Sequence, residues 1–142
     1  MEERIQKLKA YLTKIYDVNP YVRLLKMTID DITEGMARLA MPVDYDIHTN
    51  LYKVAHGGSI ASLADTAMGV ACATVGKPVV TIDMNINYIR SAEQQTVIYC
   101  TATVIHNGKH TLVVEAEVVD GQGRLVAKAR GTFFIIGRFE GE

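Results

Sequence analysis

Cysteine is scarce here: only Cys72 and Cys100 occur in 142 residues, fewer than a disulfide framework for a domain of this size would use. A reducing cytoplasm is the compartment that fits. Excess charge of either sign is also missing, since 15 Lys and Arg against 16 Asp and Glu leave a formal net charge of −1. There is no basic stripe of the kind that nucleic acid or an anionic membrane selects. No composition break, internal repeat or low-complexity tract divides the chain. A hydrophobic content of 49% over 142 residues suffices for one core but not two. One domain spanning 1–142 is expected.

A long uninterrupted apolar run at the N-terminus is missing too. The stretch MEERIQKLKAYLTKIY mixes acids with bases and spaces Ile5, Leu8, Leu12 and Ile15 along one helical stripe, where a signal peptide would carry a continuous apolar core. A docking helix over 1–18 is the expectation, with no targeting signal.

What is present is alternation. After Pro20, Leu25, Met27 and Ile29 alternate with polar residues, and beyond a turn near Asp31 to Gly35 the alternation resumes at Ala37, Leu39, Met41 and Val43. This predicts a two-stranded hairpin. A polar stretch from Asp44 to His56 then leads into GGSIASLADTAMGVACATVG, which has no Lys, Arg or Glu and one acid, Asp65. That run reads as a helix over about 57–75, buried on every side, stopped by Gly76 and Pro78 and too polar to span a membrane.

Strands follow. Val80, Ile82, Met84, Ile86 and Tyr88 form an apolar face expected to lie on the helix, with Thr81, Asp83, Asn85 and Asn87 pointing away. Thr96 to His106 and His110 to Val119 flank Asn107-Gly108, a pair that favours a tight hairpin turn, and Asp120-Gly121-Gln122-Gly123 leads to a last strand from Arg124 to Ile136. A symmetric last turn would set Glu115 opposite Lys128 and Glu117 opposite Val126, with Leu112, Val114, Ala116 and Val118 inward. The sum is an α+β domain with its core over 22–138, in which one antiparallel sheet wraps a single apolar helix. That architecture is a hotdog fold.

Chemistry concentrates at the helix start. A helix N-terminus offers unpaired N–H groups and a positive dipole end, and Gly57 and Gly58 let a ligand oxygen approach without an intervening Cβ, which suits an oxyanion hole. A plain tight turn into a helix would use the same residues, so the reading depends on Asp65. A carboxylate in an otherwise apolar helix costs several kcal/mol of desolvation unless it has a partner or a cavity, which marks either an active-site acid or base or a hydrogen-bonded structural aspartate. Eight residues at about 1.5 Å each place Asp65 roughly 12 Å along the axis from Gly57, too far to act on a carbonyl held at that end. If two such helices run antiparallel about a dyad near Ile60 and Ala61, the Gly57 end of one subunit meets Asp65 of the other. A homodimer with shared sites follows.

The motifs taken together carry a resemblance: Asn50, six residues on His56-Gly57-Gly58, then Leu63-Ala64-Asp65, then Thr81-x-Asp83-Met84-Asn85-x-x-Tyr88-x-Arg90, and Asp120-Gly121-x-Gly123-Arg124-Leu125-Val126-Ala127. From Leu25 to Ile136 the chain resembles the PaaI-type hotdog thioesterases, relatives of the phenylacetyl-CoA thioesterase. The resemblance implies hydrolysis of an acyl-CoA to a carboxylic acid and free coenzyme A, without a metal and with no cofactor beyond the coenzyme A of the substrate. It implies that Asn50 and the Gly57 amide polarise the thioester carbonyl, with Gly58 beside them. Asp65 and the Thr81 hydroxyl of the neighbouring subunit would orient and deprotonate water, or Asp65 would attack directly. His56 would position the loop or the thiolate. Such proteins form dimers and, commonly, tetramers.

Two positions depart from the family pattern, for Lys53 and Gln95 stand where relatives usually carry glycine. Lys53, Arg90 and Lys109 are candidate partners for the phosphates of coenzyme A. Met68, Val54 and Leu51 are candidate walls of the acyl pocket. His48, His106 and His110 have no metal-ligating spacing and read as structural. Two other function classes stay open: an acyl-thioester hydratase or dehydratase, and a non-catalytic acyl-CoA-binding module, for which no room is expected before Pro20 for a DNA-binding domain.

Overall fold

A computed structural model describes residues 2–139. Met1, the start of the expected 1–18 helix, and residues 140–142, the end of the expected domain, lie outside the described residues. Helix α1 (Glu2–Asp17) forms where its stripe predicts it. Leu12 is fully buried, and Ile5, Leu8 and Ile15 pack half-buried against the core. A second helix, α2 (Pro20–Leu24), replaces the start of the expected first strand. Asn19 caps it by accepting the Tyr21 and Val22 N–H groups at 3.1 Å, and Pro20 supplies a φ already suited to the first turn.

The first strand therefore begins late. Strands β1 (Thr28–Thr33) and β2 (Met36–Pro42) form the expected hairpin, but the turn is only Glu34-Gly35. A bulge between Ile29 and Asp31 adds one residue to β1, so Ile32 faces the core. The polar stretch holds a short helix, α3 (Tyr45–His48). His48 is fully buried, its Nδ1 accepting the Asp44 N–H at 3.0 Å and its Nε2 lying 2.6 Å from the Leu25 carbonyl. That pattern requires the neutral tautomer with Nε2–H donating. The His48 carbonyl in turn accepts the His56 N–H at 2.7 Å and so ties down the approach to the long helix.

Helix α4 (Gly57–Thr74) is that long helix, and β3 (Val79–Tyr88), β4 (Val97–Asn107), β5 (Thr111–Val119) and β6 (Leu125–Ile135) complete a six-stranded antiparallel sheet in the order β1-β2-β4-β5-β6-β3. This is the hotdog fold. The core lies between the sheet and α4, where Leu39, Met41, Ile98, Leu112 and Phe133 meet Leu63 and Met68.

Burial on every side is corrected for α4. Ala61, Ser62, Asp65, Thr66 and Gly69 are only half-buried and Gly58 is exposed. Their spacing of three and four residues makes one stripe of small and polar side chains that the sheet does not cover.

Strand β3 corrects the facing of its first half. Val80 and Ile82, expected on the helix, are 50% and 57% exposed. A bulge between Thr81 and Asp83 inserts one residue, so Thr81 pairs with buried Phe133 and, though exposed, lies on the α4 side of the sheet, while Met84, Ile86 and Tyr88 keep the expected side.

The β5–β6 register is also corrected. Glu115 pairs with Arg130 and Glu117 with Lys128. The carboxylate of Asp120 accepts the Gln122 and Arg124 N–H groups at 2.9 Å, and the Asp120 N–H bonds the Arg124 carbonyl, giving a longer turn than the symmetric one assumed. A further bulge at Val118/Val119 makes the total shift even, so Leu112, Val114, Ala116 and Val118 still face inward. Unlike charges still meet across the strands.

Between β4 and β5 the connection is Gly108 to His110, and Gly108 has no positive φ. The tight turn expected of Asn107-Gly108 is thus absent, because a bulge between Val104 and His106 pairs Asn107 with Leu112.

Candidate active site

The site begins at the start of α4. His56 is its N-cap: the ring Nδ1 accepts the Gly58 N–H at 2.8 Å, and the His56 carbonyl accepts the Ser59 and Ile60 N–H groups. Gly58 is therefore already capped. The Gly57 N–H has no acceptor among the described residues, and it stands where the helix dipole is most positive.

Around it lies a cavity of about 310 Å³ lined by Asn50, Gly57, Tyr88 and Arg90, with Val54 and Ile60 as apolar wall. The Asn50 Oδ1 accepts the Tyr52 N–H at 2.9 Å and the Val54 N–H at 3.3 Å. Its Nδ2 donates to no group among the described residues, leaving it available to a ligand oxygen. The loop closes on Asn50 through Lys53, whose φ of +67° is left-handed; Gln95 has φ +65°. Both departures from the family pattern therefore occupy the backbone conformation for which glycine is suited. Lys53 itself is exposed.

Asp65 lies elsewhere. Its Oδ1 accepts the Thr81 hydroxyl at 2.6 Å within the same chain, a contact made possible by the β3 bulge. The pair opens on a second cavity of about 200 Å³, with Tyr16, Asn19, Tyr21 and Phe133. Burial, with smaller contributions from Cys72 and Asp65, pushes the Tyr16 phenol up to about 12. The Tyr21 hydroxyl sits 2.5 Å from the Ser62 Oγ. The cavities share no lining residue.

Other candidates are placed apart. Lys109 sits in the β4–β5 connection beside Lys77, whose Nζ donates to the Gly108 carbonyl at 3.0 Å just past the C-terminal end of α4. An 18-residue helix puts that end roughly 27 Å from Gly57 at about 1.5 Å per residue, so the chain does not bring Lys109 to Asn50 and Arg90. Met68 is buried in the core and lines neither cavity, Val54 lines the first, and Leu51 is 89% exposed. Among the described residues no cluster of His, Cys, Asp and Glu could hold a metal ion, and no helix is long and apolar enough to cross a membrane. Cys72 and Cys100 are buried free thiols.

Sequence reasoning assigned no role to Tyr88, Tyr16 or Tyr21. Tyr88 was detectable, since period two places it on the inner face of β3. Tyr16 and Tyr21 were not, because α1 and α2 reach Asp65 only through the tertiary fold.

These features agree with a family match: the thioesterase superfamily pattern covers residues 52–127. The chain belongs to that superfamily. The acyl-coenzyme A thioesterase PaaI of Escherichia coli K12 is 33% identical over 123 residues, 87% of this chain and 87% of its own. The structure of the E. coli PaaI protein, from the phenylacetic acid degradation operon, matches with a TM-score of 0.85 at 32% identity, covering 92% of this chain and 95% of that one. A hypothetical thioesterase of Streptococcus pneumoniae TIGR4, solved with coenzyme A, matches with a TM-score of 0.75 at 28% identity, over 79% and 90% of the two chains.

Proposed function

We propose that this member of the thioesterase superfamily hydrolyses an acyl-CoA to a carboxylic acid and free coenzyme A, at sites shared between two protomers. The unclaimed Gly57 N–H at the start of α4 carries the reading. With the Asn50 Nδ2 beside it, it supplies two donors for the oxygen of a thioester carbonyl. Negative charge grows on that oxygen as the carbonyl carbon becomes tetrahedral.

The other half is Asp65 with Thr81. About 12 Å of helix separates it from Gly57, so the base reaches the carbonyl from the neighbouring protomer. The uncovered stripe from Gly58 to Gly69 is small and polar enough to seat a second α4. There Asp65, oriented by the Thr81 hydroxyl, takes the proton of an attacking water, or its carboxylate attacks the carbonyl carbon and water then cleaves the mixed anhydride. In both routes the carbon–sulfur bond breaks and the thiolate leaves as coenzyme A, a leaving group that needs little acid assistance. His56 spends Nδ1 on its own helix and keeps Nε2–H toward the loop or the thiolate. Arg90 and Lys53 meet the phosphates of coenzyme A. The chain acts as one domain, and its dimers pair into a tetramer. The cytoplasm suits its free thiols, and no nucleic acid takes part.

Incubation with a panel of acyl-CoAs and a thiol reagent tests this. Hydrolysis frees one thiol per acyl group lost. A thioester that survives with its acyl group altered points to hydration, and binding without turnover points to a sensing module.

A further inference from the structure

Tyr88, the last residue of β3, crosses to the start of α4, where its hydroxyl donates to the Gly57 carbonyl at 2.7 Å. Its ring lies close against the position a Cβ on Gly57 would take, with Cζ 3.2 Å from it. The same side chain lines the cavity that holds Asn50 and Arg90. We propose that Tyr88 is a positioning residue that aims the Gly57 N–H at the thioester carbonyl, an inference that rests on the assignment of that N–H as carbonyl donor.

The argument is mechanical. The Gly57 N–H belongs to the His56–Gly57 peptide plane, which hinges at the Cα of a glycine, the softest hinge a backbone has. On one side the plane is held by its own carbonyl, that of His56, which accepts the Ser59 and Ile60 N–H groups at 2.9 and 3.1 Å. On the other side Tyr88 fixes Gly57 through its carbonyl, with the ring 3.2 Å from where a Cβ on Gly57 would stand. A donor serves a transition state only if it is held within a fraction of an ångström before reaction, and a displacement of about 1 Å costs up to a hundredfold in rate. Ring packing alone would be served by phenylalanine; the hydroxyl adds the hydrogen bond. Burial raises the phenol, so it stays a protonated donor through neutral pH.

Tyr88→Phe keeps the ring and removes the hydroxyl, and kcat and KM for an acyl-CoA that the protein hydrolyses are the readouts. The expected result is a fall in kcat of about tenfold, with KM within about twofold and an unchanged melting temperature, because a donor used in the transition state is misaimed while ground-state binding is kept. Gly57→Ala, which sets a methyl 3.2 Å from the ring Cζ so that ring and backbone must give by a few tenths of an ångström, should lower kcat by tenfold or more. The double variant should be no slower than Gly57→Ala alone, because a donor already displaced has nothing left to aim. An unchanged kcat in Tyr88→Phe overturns the inference, as does a fall only in melting temperature, a change only in KM, or full additivity with Gly57→Ala. Absence of thiol release from every acyl-CoA by the unaltered protein overturns the hydrolase reading and this inference with it.

Discussion

The two cavities along α4 are built from opposite chemistries. At the helix start the groups are donors and a cation: the Gly57 N–H, the Asn50 amide and Arg90. At mid-helix the groups are an acceptor and aromatic walls: Asp65 held by Thr81, with Tyr16, Tyr21 and Phe133 around it. The first cavity suits developing negative charge and phosphates. The second suits a base and an apolar acyl group. Each lacks what the other has, so under the proposed function either alone is half of a hydrolytic site, and about 12 Å of helix keeps the halves apart in one chain.

The largest effect that would break this comparison is loss of the base. Asp65→Ala should lower kcat at least a hundredfold and leave the mass in solution unchanged; near-normal turnover would remove mid-helix from the chemistry. A smaller effect probes the cation. Arg90→Gln should raise KM for an acyl-CoA about tenfold, the value of one charge-assisted contact, and leave KM for an acyl-pantetheine lacking the phosphates unaltered. Equal changes for both substrates would place Arg90 away from the phosphates.

The two left-handed loop residues, Lys53 and Gln95, give a third, smaller signal. Gln95→Gly should stabilise the fold by about 0.5–1 kcal/mol in a denaturant titration, the left-handed penalty less the entropy of glycine, with kcat unchanged. Lys53→Gly should gain as much and in addition raise KM, since the proposed phosphate contact is lost; an unchanged KM would make Lys53 a loop residue only. The smallest response belongs to the covered side of α4. Burial pushes the Cys72 and Cys100 thiols up to about 12, so both stay protonated and should resist alkylation at pH 8 until denaturant is added. Rapid labelling of Cys72 in the folded protein would show that α4 is less well covered there.

Much of this was legible in the residues. The helix over Gly57–Thr74, the alternating strands and the 12 Å separation of Gly57 from Asp65 follow from periodicity and helix rise alone. Most of the strand failures trace to bulges, each of which changes facing or register by one residue without leaving a mark in composition. The β3 bulge exposes Val80 and Ile82 and turns Thr81 to Asp65, and the β5–β6 bulge together with the longer Asp120 turn moves Glu115 from Lys128 to Arg130. Short helices were missed for a different reason. α2 is held by its Asn19 cap and α3 by buried His48 rather than by an apolar period. The candidate site was legible where one element carries it, as at His56–Gly58, and illegible where separate elements converge, as at Tyr16 and Tyr21.

The shared site is tested most directly by complementation. Asp65→Ala and Asn50→Ala chains, each inactive alone and carrying different tags, would be co-expressed and the mixed dimer isolated. One of its two sites then joins the intact Asn50 and Gly57 of one chain to the intact Asp65 of the other, while the second site carries both defects. The account predicts that the mixed dimer regains about half of the unaltered kcat per dimer. A mixed dimer as inactive as its parents would place donors and base within one chain and contradict the account.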